Sequence, residues 1–440
     1  MTAWTMPSPA NTAEAAPGTL FSWRQGLRYG LLGLPLAFVA LPLYVLLPNF
    51  YARNFGVPLA GLGLLLLGAR LFDAVIDPLL GRWADALYAR SLRAVLTLGF
   101  LAALLLGASF FALFFPPNST LPFLWVWAGV CLLLCYLAFS TLTILHQSWG
   151  ALLGGDALGR SRIVAYREGL GLAGVVLASL SPALLGMAFT VGLLWLGLLL
   201  GCAAWSQAPR PPQGLFDAVH AAPAQRGRAG LLQPFTVPAF RALMAVFMVN
   251  GIATALPATL ILFFVQDRLQ APPDSEAWFL GVYFISAALA LAPWLRVVKR
   301  WGLERAWLAG MVTSVAVFAF ASQLGAGDTN AFLAVCALSG WAMAADLTLP
   351  TALLAGAIAR HSGAQQASGR FFGWWNLATK LNLALAAGLA LPLLSAFGYA
   401  PGSRTPEGLQ ALTWAYCLLP CALKLLAAAL LYFLLLRKSP

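Results

Sequence analysis

Charged residues are scarce in this sequence. They account for 9% of the 440 residues, whereas 61% of the residues are hydrophobic. The mean hydropathy is +0.83. A water-soluble chain of this length needs far more polar side chains to cover its surface. The composition therefore excludes an ordinary soluble domain and indicates a protein embedded in a membrane.

Histidine and cysteine are also too few, and too scattered, for the common catalytic and metal sites. The chain has 3 histidines and 6 cysteines, and no cysteine has metal-ligand spacing with a histidine partner. Nor does a nucleotide-binding G-x-x-x-x-G-K-[ST] stretch occur. We therefore expect no cofactor, no metal and no disulfide framework. An intramembrane lipid-handling enzyme is the alternative class, but it would need a nucleophile–base pair that the sequence does not offer.

The sequence instead contains long apolar runs. About 20 consecutive apolar residues suffice for a helix that crosses a bilayer. We predict twelve such spans, at residues 27–48, 57–80, 94–116, 121–146, 163–185, 187–206, 237–265, 277–297, 305–323, 331–358, 370–396 and 409–436. The predicted fold class is an all-α membrane protein.

Basic residues explain the net charge of +12. They concentrate in alternate loops, such as Arg82, Arg90 and Arg93 after the second span. This is the positive-inside pattern, and it predicts two cytoplasmic termini and an even number of spans. We expect a multi-pass protein of the bacterial inner membrane whose partner is the lipid bilayer and not nucleic acid.

A polar stretch divides the chain into two halves. Residues 206–230 are rich in proline, alanine and glycine and separate six predicted spans from six. We predict a disordered cytoplasmic N-terminus at 1–25, a six-helix bundle at 26–206, a cytoplasmic linker at 207–235 and a second bundle at 236–440. Secondary transporters have this layout, with a substrate site between the halves near the bilayer midplane.

Three charges in the second span share one helix face. Arg70, Asp73 and Asp77 are spaced i, i+3 and i+7. A charge at the bilayer centre costs about 3 kcal/mol or more, so such residues face the bundle interior or a cavity. The two aspartates either converge on a small cation or proton, with Arg70 neutralising one of them, or form a buried structural salt bridge.

Other charged or titratable residues lie deep in later spans. Lys380 is ten residues beyond the nearest loop charge, Arg370. Asp346 is a lone acid in the tenth span, and we expect Lys424 in the twelfth to reach toward a membrane interface. His146 ends the apolar part of the fourth span, either as a satisfied structural histidine or as a ligand.

Four segments of the chain together resemble one transporter family. They are RLFDAVIDPLLGRWAD (70–85), RSRIVAYR (160–167), ADLTLP (345–350) and GRFFGWWNLATK (369–380). They resemble the glycoside–pentoside–hexuronide:cation symporters, the melibiose-carrier-like branch of the major facilitator superfamily. The match runs from about residue 27 to 436 in the right order. It implies two pseudo-symmetric six-helix bundles that alternate access to a small-molecule substrate, and we expect the protein to work as a monomer.

The resemblance also implies roles for single residues. Asp73, Asp77 and Thr143 would bind the coupling cation, H⁺ or Na⁺, while Lys380 and Arg70 would couple ion and substrate. The substrate-binding residues would be His146, Trp149, Arg167, Asn250, Trp375 and Asn376. Gly81 would permit close helix approach in a gating loop, where Asp85 and Arg90 supply an acid and a base.

Lys380 allows a geometric prediction. The acids at comparable depth are Asp73, Asp77 and Asp346, and the resemblance places the eleventh helix across the cavity from the second. A deep ammonium group is costly unless it is paired. We therefore predict that the Lys380 amine lies between the two halves and points toward Asp73 and Asp77.

Two departures from the family pattern bear on the substrate and the ion. Ile76 stands where the family has an asparagine, which removes an oxygen from any sodium site and favours proton coupling. The first span has no sugar-binding acid, and His146 replaces the acid of the fourth. The substrate is therefore either a sugar or glycoside, or a less polar solute such as a lysolipid.

Overall fold

The computed structural model describes residues 22–55, 57, 59–117, 120–211, 228–272, 275–361, 367–399, 402 and 405–438. It is built from helices that form twelve membrane-crossing segments, numbered I to XII below. This agrees with the predicted number of spans and with the predicted fold class. The predicted N-terminal tail at 1–25 and the linker at 207–235 fall largely outside the described residues, so the domain limits stay a prediction.

Six helices make up the first half. Helix I comprises Trp23–Gly30, Gly33–Leu41, a π-turn at Pro42–Leu46, and Leu47–Phe55. Helix II is Leu59–Arg90, helix III is Leu92–Phe114 and helix IV is Leu121–Leu152. Helices V and VI share the segment Ala157–Ser206, which breaks at Gly186, where φ is +81°. Glycine adopts this conformation without steric cost, which explains the position of the break.

Six further helices make up the second half. Helix VII is Pro238–Phe263 with a π-turn at Phe264–Arg268, helix VIII is Ser275–Trp301 and helix IX is Leu303–Ala321. Helix X is Thr329–Arg360 and helix XI is Ser368–Ala396. Helix XII comprises Pro406–Thr413, a π-turn at Trp414–Leu418, and Leu419–Leu434.

Most of the described helices are apolar enough to span a bilayer. Nine of the described helices are long and apolar enough to cross a membrane by composition alone. Helix II extends ten residues beyond the predicted end at residue 80. Residues 81–90 are helical because they contain no helix breaker after Gly81, and the next helix starts only at the N-cap Ser91.

The two halves meet along five pairs of helices. Helix XI packs on II and IV, helix V packs on VIII and X, and helix X also packs on IV. At the end nearest the linker, Ala151 and Val164 of the first half belong to the same buried apolar cluster as Leu353 and Phe372 of the second. The halves are therefore in close contact at the linker end.

Candidate functional site

The two aspartates of helix II and the lysine of helix XI form one ion-paired group. The Lys380 Nζ lies 2.7 Å from Asp73 Oδ2 and 2.7 Å from Asp77 Oδ2. Asp77 is completely buried, Asp73 is 1% exposed, and the Lys380 side chain is 21% exposed. The predicted placement of Lys380 is confirmed, since one amine from the second half contacts both carboxylates of the first.

A serine that the sequence analysis missed completes this group. Ser140 of helix IV donates a 2.6 Å hydrogen bond to Asp73 Oδ1 and accepts a 2.9 Å hydrogen bond from Lys380. Neither oxygen of Asp77 accepts a hydrogen bond of ordinary geometry from the described residues. Asp73 is thus held by a hydroxyl as well as by the ammonium group, whereas Asp77 depends on its ion pair with Lys380.

The backbone contact between helices II and XI explains how Lys380 reaches the aspartates. A Cβ atom added to Gly373 would lie 2.5 Å from the carbonyl oxygen of Asp77. Gly373 and Lys380 are seven residues apart and share a helix face. The close approach at the glycine brings the lysine onto the face of helix II that carries both carboxylates.

The same helix pair forms a second contact toward the linker end. Asp85 of helix II accepts hydrogen bonds from the backbone amide of Gly369 at 2.6 Å and from Arg370 Nε at 2.8 Å. Arg370 in turn donates to the carbonyl oxygen of Gly230, within the predicted linker. The base that pairs with Asp85 is therefore Arg370 of the other half. The predicted base, Arg90, is exposed at the end of helix II.

Gly81 makes this contact possible. A Cβ atom on Gly81 would lie 2.1 Å from the carbonyl oxygen of Gly369. Because that atom belongs to the backbone, only a shift of a whole helix can relieve the clash.

We expect Gly81→Ala to separate helices II and XI at the linker end. Spin labels at the exposed positions Arg93 and Arg360, one in each half, should then report a longer distance by electron paramagnetic resonance. Gly68→Ala is the matched control, because a Cβ atom at Gly68 of the same helix meets nothing within 4 Å. An unchanged distance in Gly81→Ala would contradict a gate at this glycine.

Three predicted residues line a cavity in the first half. Thr143, His146 and Arg167 border a cavity of about 190 Å³ between helices I, IV and V, together with Gln147 and Glu168. Arg167 is buried and forms an ion pair with Glu168. Thr143 lies in this cavity, and the helix IV residue that hydrogen-bonds Asp73 is Ser140, one turn earlier.

The aromatic residues predicted to bind substrate pack mainly against protein. Trp149 is fully buried and donates a hydrogen bond to the carbonyl oxygen of Pro209. Trp375 is buried and stacks on Phe247 with 3.7 Å between ring centroids. Asn376 is half-buried on helix XI, one turn before Lys380. The structure does not bring Trp149 or Trp375 to the cavity of Thr143 and His146, and their role in substrate binding stays a prediction.

Asn250 belongs to a separate polar network within the second half. Lys424 lies 2.6 Å from Asp346 Oδ2, and Asn250 donates a 3.0 Å hydrogen bond to Asp346 Oδ1. Trp307 also donates to Asp346, and Lys424 donates to Asn250 and Thr254. The expectation that Lys424 reaches a membrane interface is wrong, because Lys424 is 3% exposed and neutralises a buried acid. The network ties helices VII, IX, X and XII together.

We expect Lys424→Met to lower the thermal stability of the protein strongly. It leaves the Asp346 carboxylate buried without its counter-ion, which costs about 3–5 kcal/mol for a buried pair. The measurement is the melting temperature in detergent. Lys424→Met combined with Asp346→Asn should recover much of the loss, and Arg300→Met at an exposed position is the control. Equal melting temperatures for Lys424→Met and the control would contradict a stabilising ion pair.

Comparison with known proteins agrees with this architecture. A family described as MFS/sugar transport protein matches residues 28–438. No curated protein has significant sequence similarity to the chain.

Similar solved structures are transporters. The E. coli fucose:proton symporter FucP is similar with a TM-score of 0.66 and 15% identity over 93% of this chain and 99% of that chain. A bacterial homologue of the iron transporter ferroportin in an outward-facing state gives a TM-score of 0.65 and 16% identity over 93% and 98%. The human organic anion transporter TETRAN gives 0.66 and 18% over 93% and 99%. At these identities the likeness shows the fold.

Proposed function

The chain belongs to the MFS/sugar transport protein family, and from that premise we propose that it is a proton-coupled symporter of a sugar or glycoside. Membership makes it a multi-pass membrane transporter of a small molecule. The proton, the sugar, the function as a monomer and the location in a bacterial inner membrane with both termini cytoplasmic belong to the proposal.

The single observation that carries the proposal is the ion pairing of Lys380 with both Asp73 and Asp77. The amine comes from the second half and the carboxylates from the first. These three groups have a formal charge of −1, which one proton would neutralise. Because the ion pairs connect the two halves, any change in the charge of the carboxylates also changes how strongly the halves are held together.

The occupancy of the space between the carboxylates supports a proton over sodium. The Lys380 amine lies within 3.4 Å of four oxygen atoms, on Asp73, Asp77 and Ser140. A sodium ion would need several of these oxygens at once, and Ile76 contributes no further one. A proton needs a single carboxylate oxygen, and Asp77 has one that accepts no hydrogen bond from the described residues.

The proposed cycle follows from this arrangement. In the empty carrier Lys380 holds both aspartates, and the halves stay in contact through helices II and XI. A proton on Asp77 weakens one ion pair and lets the lysine turn toward the substrate. Substrate and proton together then favour the state in which the halves have rocked apart at the linker end, so that neither crosses alone.

We expect uptake into proteoliposomes to follow an imposed pH gradient at negligible sodium. The solutes to test are radiolabelled sugars and, separately, lysolipids, with the pH and sodium gradients set independently. Dissipating the pH gradient with a protonophore should abolish accumulation of the sugar. A strict sodium requirement, or accumulation that ignores the pH gradient, would contradict proton coupling.

A further inference from the structure

A groove of about 570 Å³ runs along one face of helix IX at its linker end. We call it the helix IX groove, and the residues that line it are Trp301, Arg305, Leu308, Ala309, Val312 and Thr313. The five that belong to helix IX are spaced i, i+3, i+4, i+7 and i+8, so they share one helix face. Trp301, at the end of helix VIII, and Val312 are each 53% exposed. The groove is therefore an open surface that part of another molecule can occupy.

The helix IX groove faces the surrounding lipid and not the interface between the halves. Helix IX packs on helices X and XII, and none of the five described helix pairs between the halves includes it. Val312 lies seven residues, or about 10 Å, deeper in the membrane than Arg305 by the rise of an α-helix. Apolar side chains thus line the deep end of the groove, and a basic side chain stands at its mouth.

Positive charge is concentrated at the mouth of the groove. Residues 296–305 contain four basic residues and one acid, Glu304. The four basic side chains are all exposed, and they are Arg296, Lys299, Arg300 and Arg305. None of them forms an ion pair with another residue of the described ranges. The cluster keeps a net positive charge, which favours a negatively charged partner.

One glycine holds this basic cluster beside the groove. Gly302 has a φ of +80° and separates the end of helix VIII from the start of helix IX. Glycine adopts this conformation without strain, so the chain passes from one helix to the next within a single residue. Trp301 lines the groove, and tryptophan is enriched where the hydrocarbon core meets the lipid headgroups. The basic cluster next to it therefore lies at the depth of the headgroups.

An amphiphile with an anionic head matches both ends of this surface. A phosphate group accepts charge-assisted hydrogen bonds from a guanidinium group, which binds it in a bidentate geometry. An acyl chain attached to that phosphate covers the apolar stretch as far as Val312. A soluble anion would leave this stretch uncovered, and an apolar segment of a second protein would leave the basic side chains unused.

A second groove on the same half shows the contrast. It has a volume of about 790 Å³, is lined by residues of helices XI and XII, and has Glu407 and Gln410 near the start of helix XII. Where the helix IX groove has a guanidinium group, this groove has a carboxylate, which repels an anionic head. Apolar surface alone is thus common to both grooves, and the charge at the mouth sets the helix IX groove apart.

We propose that the helix IX groove binds an anionic phospholipid of the leaflet around the linker end, with the phosphate on Arg305 and its neighbouring cations and one acyl chain between Trp301 and Val312. This inference goes beyond the proposed function, because the site lies outside the interface between the halves. It requires neither a substrate nor a coupling ion.

Binding of defined lipids to the purified full-length protein tests the proposal. Native mass spectrometry in detergent compares dioleoylphosphatidylglycerol with dioleoylphosphatidylcholine, which has the same chains and no net charge, and with sn-glycerol 3-phosphate, a soluble headgroup. We expect the anionic lipid to bind about tenfold more tightly than the choline lipid, because each basic residue adds to the attraction. Equal affinity for the two lipids, or for the anionic lipid and the soluble headgroup, would overturn the proposal.

Two variants separate the headgroup from the acyl chain. Arg305→Gln removes the guanidinium group and should weaken binding of the anionic lipid about fivefold, with no effect on the choline lipid. Arg93→Gln is the matched control, since Arg93 is exposed at the start of helix III, at the same end of the protein. Ala309→Trp fills the groove and should weaken binding of both lipids. Ala319→Trp, at an exposed position further along helix IX, is its control.

The comparison of the two arginine variants decides the outcome. Arg305 is exposed, so Arg305→Gln should keep the wild-type melting temperature in the absence of lipid, and it remains decisive even if Ala309→Trp does not fold. Equal losses of affinity in Arg305→Gln and Arg93→Gln would reduce the effect to general attraction between anionic lipid and a basic surface, and would overturn the proposal. Loss of a protein dimer in Ala309→Trp, with lipid binding unchanged, would assign the groove to a second copy of the chain and overturn it as well.

Discussion

Asp77→Asn is expected to abolish accumulation driven by a pH gradient while leaving the protein folded. Asparagine has nearly the same shape as aspartate but cannot take up the coupling proton. Asp77 is completely buried and contacts the Lys380 amine at 2.7 Å, so the substitution removes one of two ion pairs between the halves. Lys380 keeps its pair with Asp73, and for this reason the fold should survive.

The measurement compares initial uptake and final accumulation in proteoliposomes, with protein folding checked by size-exclusion profile and melting temperature. Asp156→Asn is the matched control, because Asp156 is an exposed N-cap residue and asparagine caps a helix equally well. Equilibration of substrate down its own gradient needs no coupling proton, so we expect it to persist in Asp77→Asn. If this variant accumulated substrate fully against a gradient, Asp77 would not be the residue that binds the coupling proton.

Lys380→Met is expected to abolish coupled transport and to destabilise the protein. The variant leaves two carboxylates from one helix face buried together without a counter-ion, and breaking a buried ion pair in this way costs about 3–5 kcal/mol. The carboxylates can lower this cost by taking up a proton, so the variant should carry that proton permanently. Substrate movement would then no longer depend on the pH gradient.

A second variant tests whether charge explains the loss of stability. Asp73→Asn combined with Lys380→Met leaves only one buried carboxylate, so it should be more stable than Lys380→Met alone and still fail to accumulate substrate. Lys299→Met, at the exposed end of helix VIII, is the control for loss of a lysine. If Lys380→Met accumulated substrate as the wild type does, the lysine would have only a structural role, and the proposed coupling role would be contradicted.

The ion-paired group could be found from the sequence because charges inside apolar runs are rare and costly. Hydropathy alone identifies Asp73, Asp77 and Lys380 as unusual charges. The resemblance to a known family implies that helices II and XI face each other. Ser140 could not be found in this way. A serine in a membrane helix costs little, and its contact with Asp73 depends on how helix IV is rotated.

The partner of Asp85 shows where reasoning along the chain fails. Arg90 lies five residues away in the same segment and was the predicted base, but helix II continues through both positions and leaves Arg90 exposed. The actual partner, Arg370, is 285 residues away and is brought close by the glycine contact between helices II and XI. Only the packing of two helices from different halves could identify it.

The partner of Lys424 in the second half could not be identified from the sequence either. Taken alone, a lysine in a long apolar run is expected to extend toward the membrane surface. The sequence did contain a signal for a buried ion pair. Other spans of the same half contain a lone acid, Asp346, and a lone amide, Asn250. Glu168 was overlooked for a different reason, since it follows Arg167 directly and lies near the start of the predicted fifth span, where charges are common.

The measurement that tests the central claim most directly is proton movement during substrate uptake. Purified protein in sodium-free proteoliposomes, with a weakly buffered external medium and no imposed gradient, is given a monosaccharide that it binds. The account predicts that the external pH rises as the sugar enters, with a fixed ratio of protons to sugar, and that Asp77→Asn abolishes the rise. Entry of the sugar into these vesicles without any change in external pH would contradict the account.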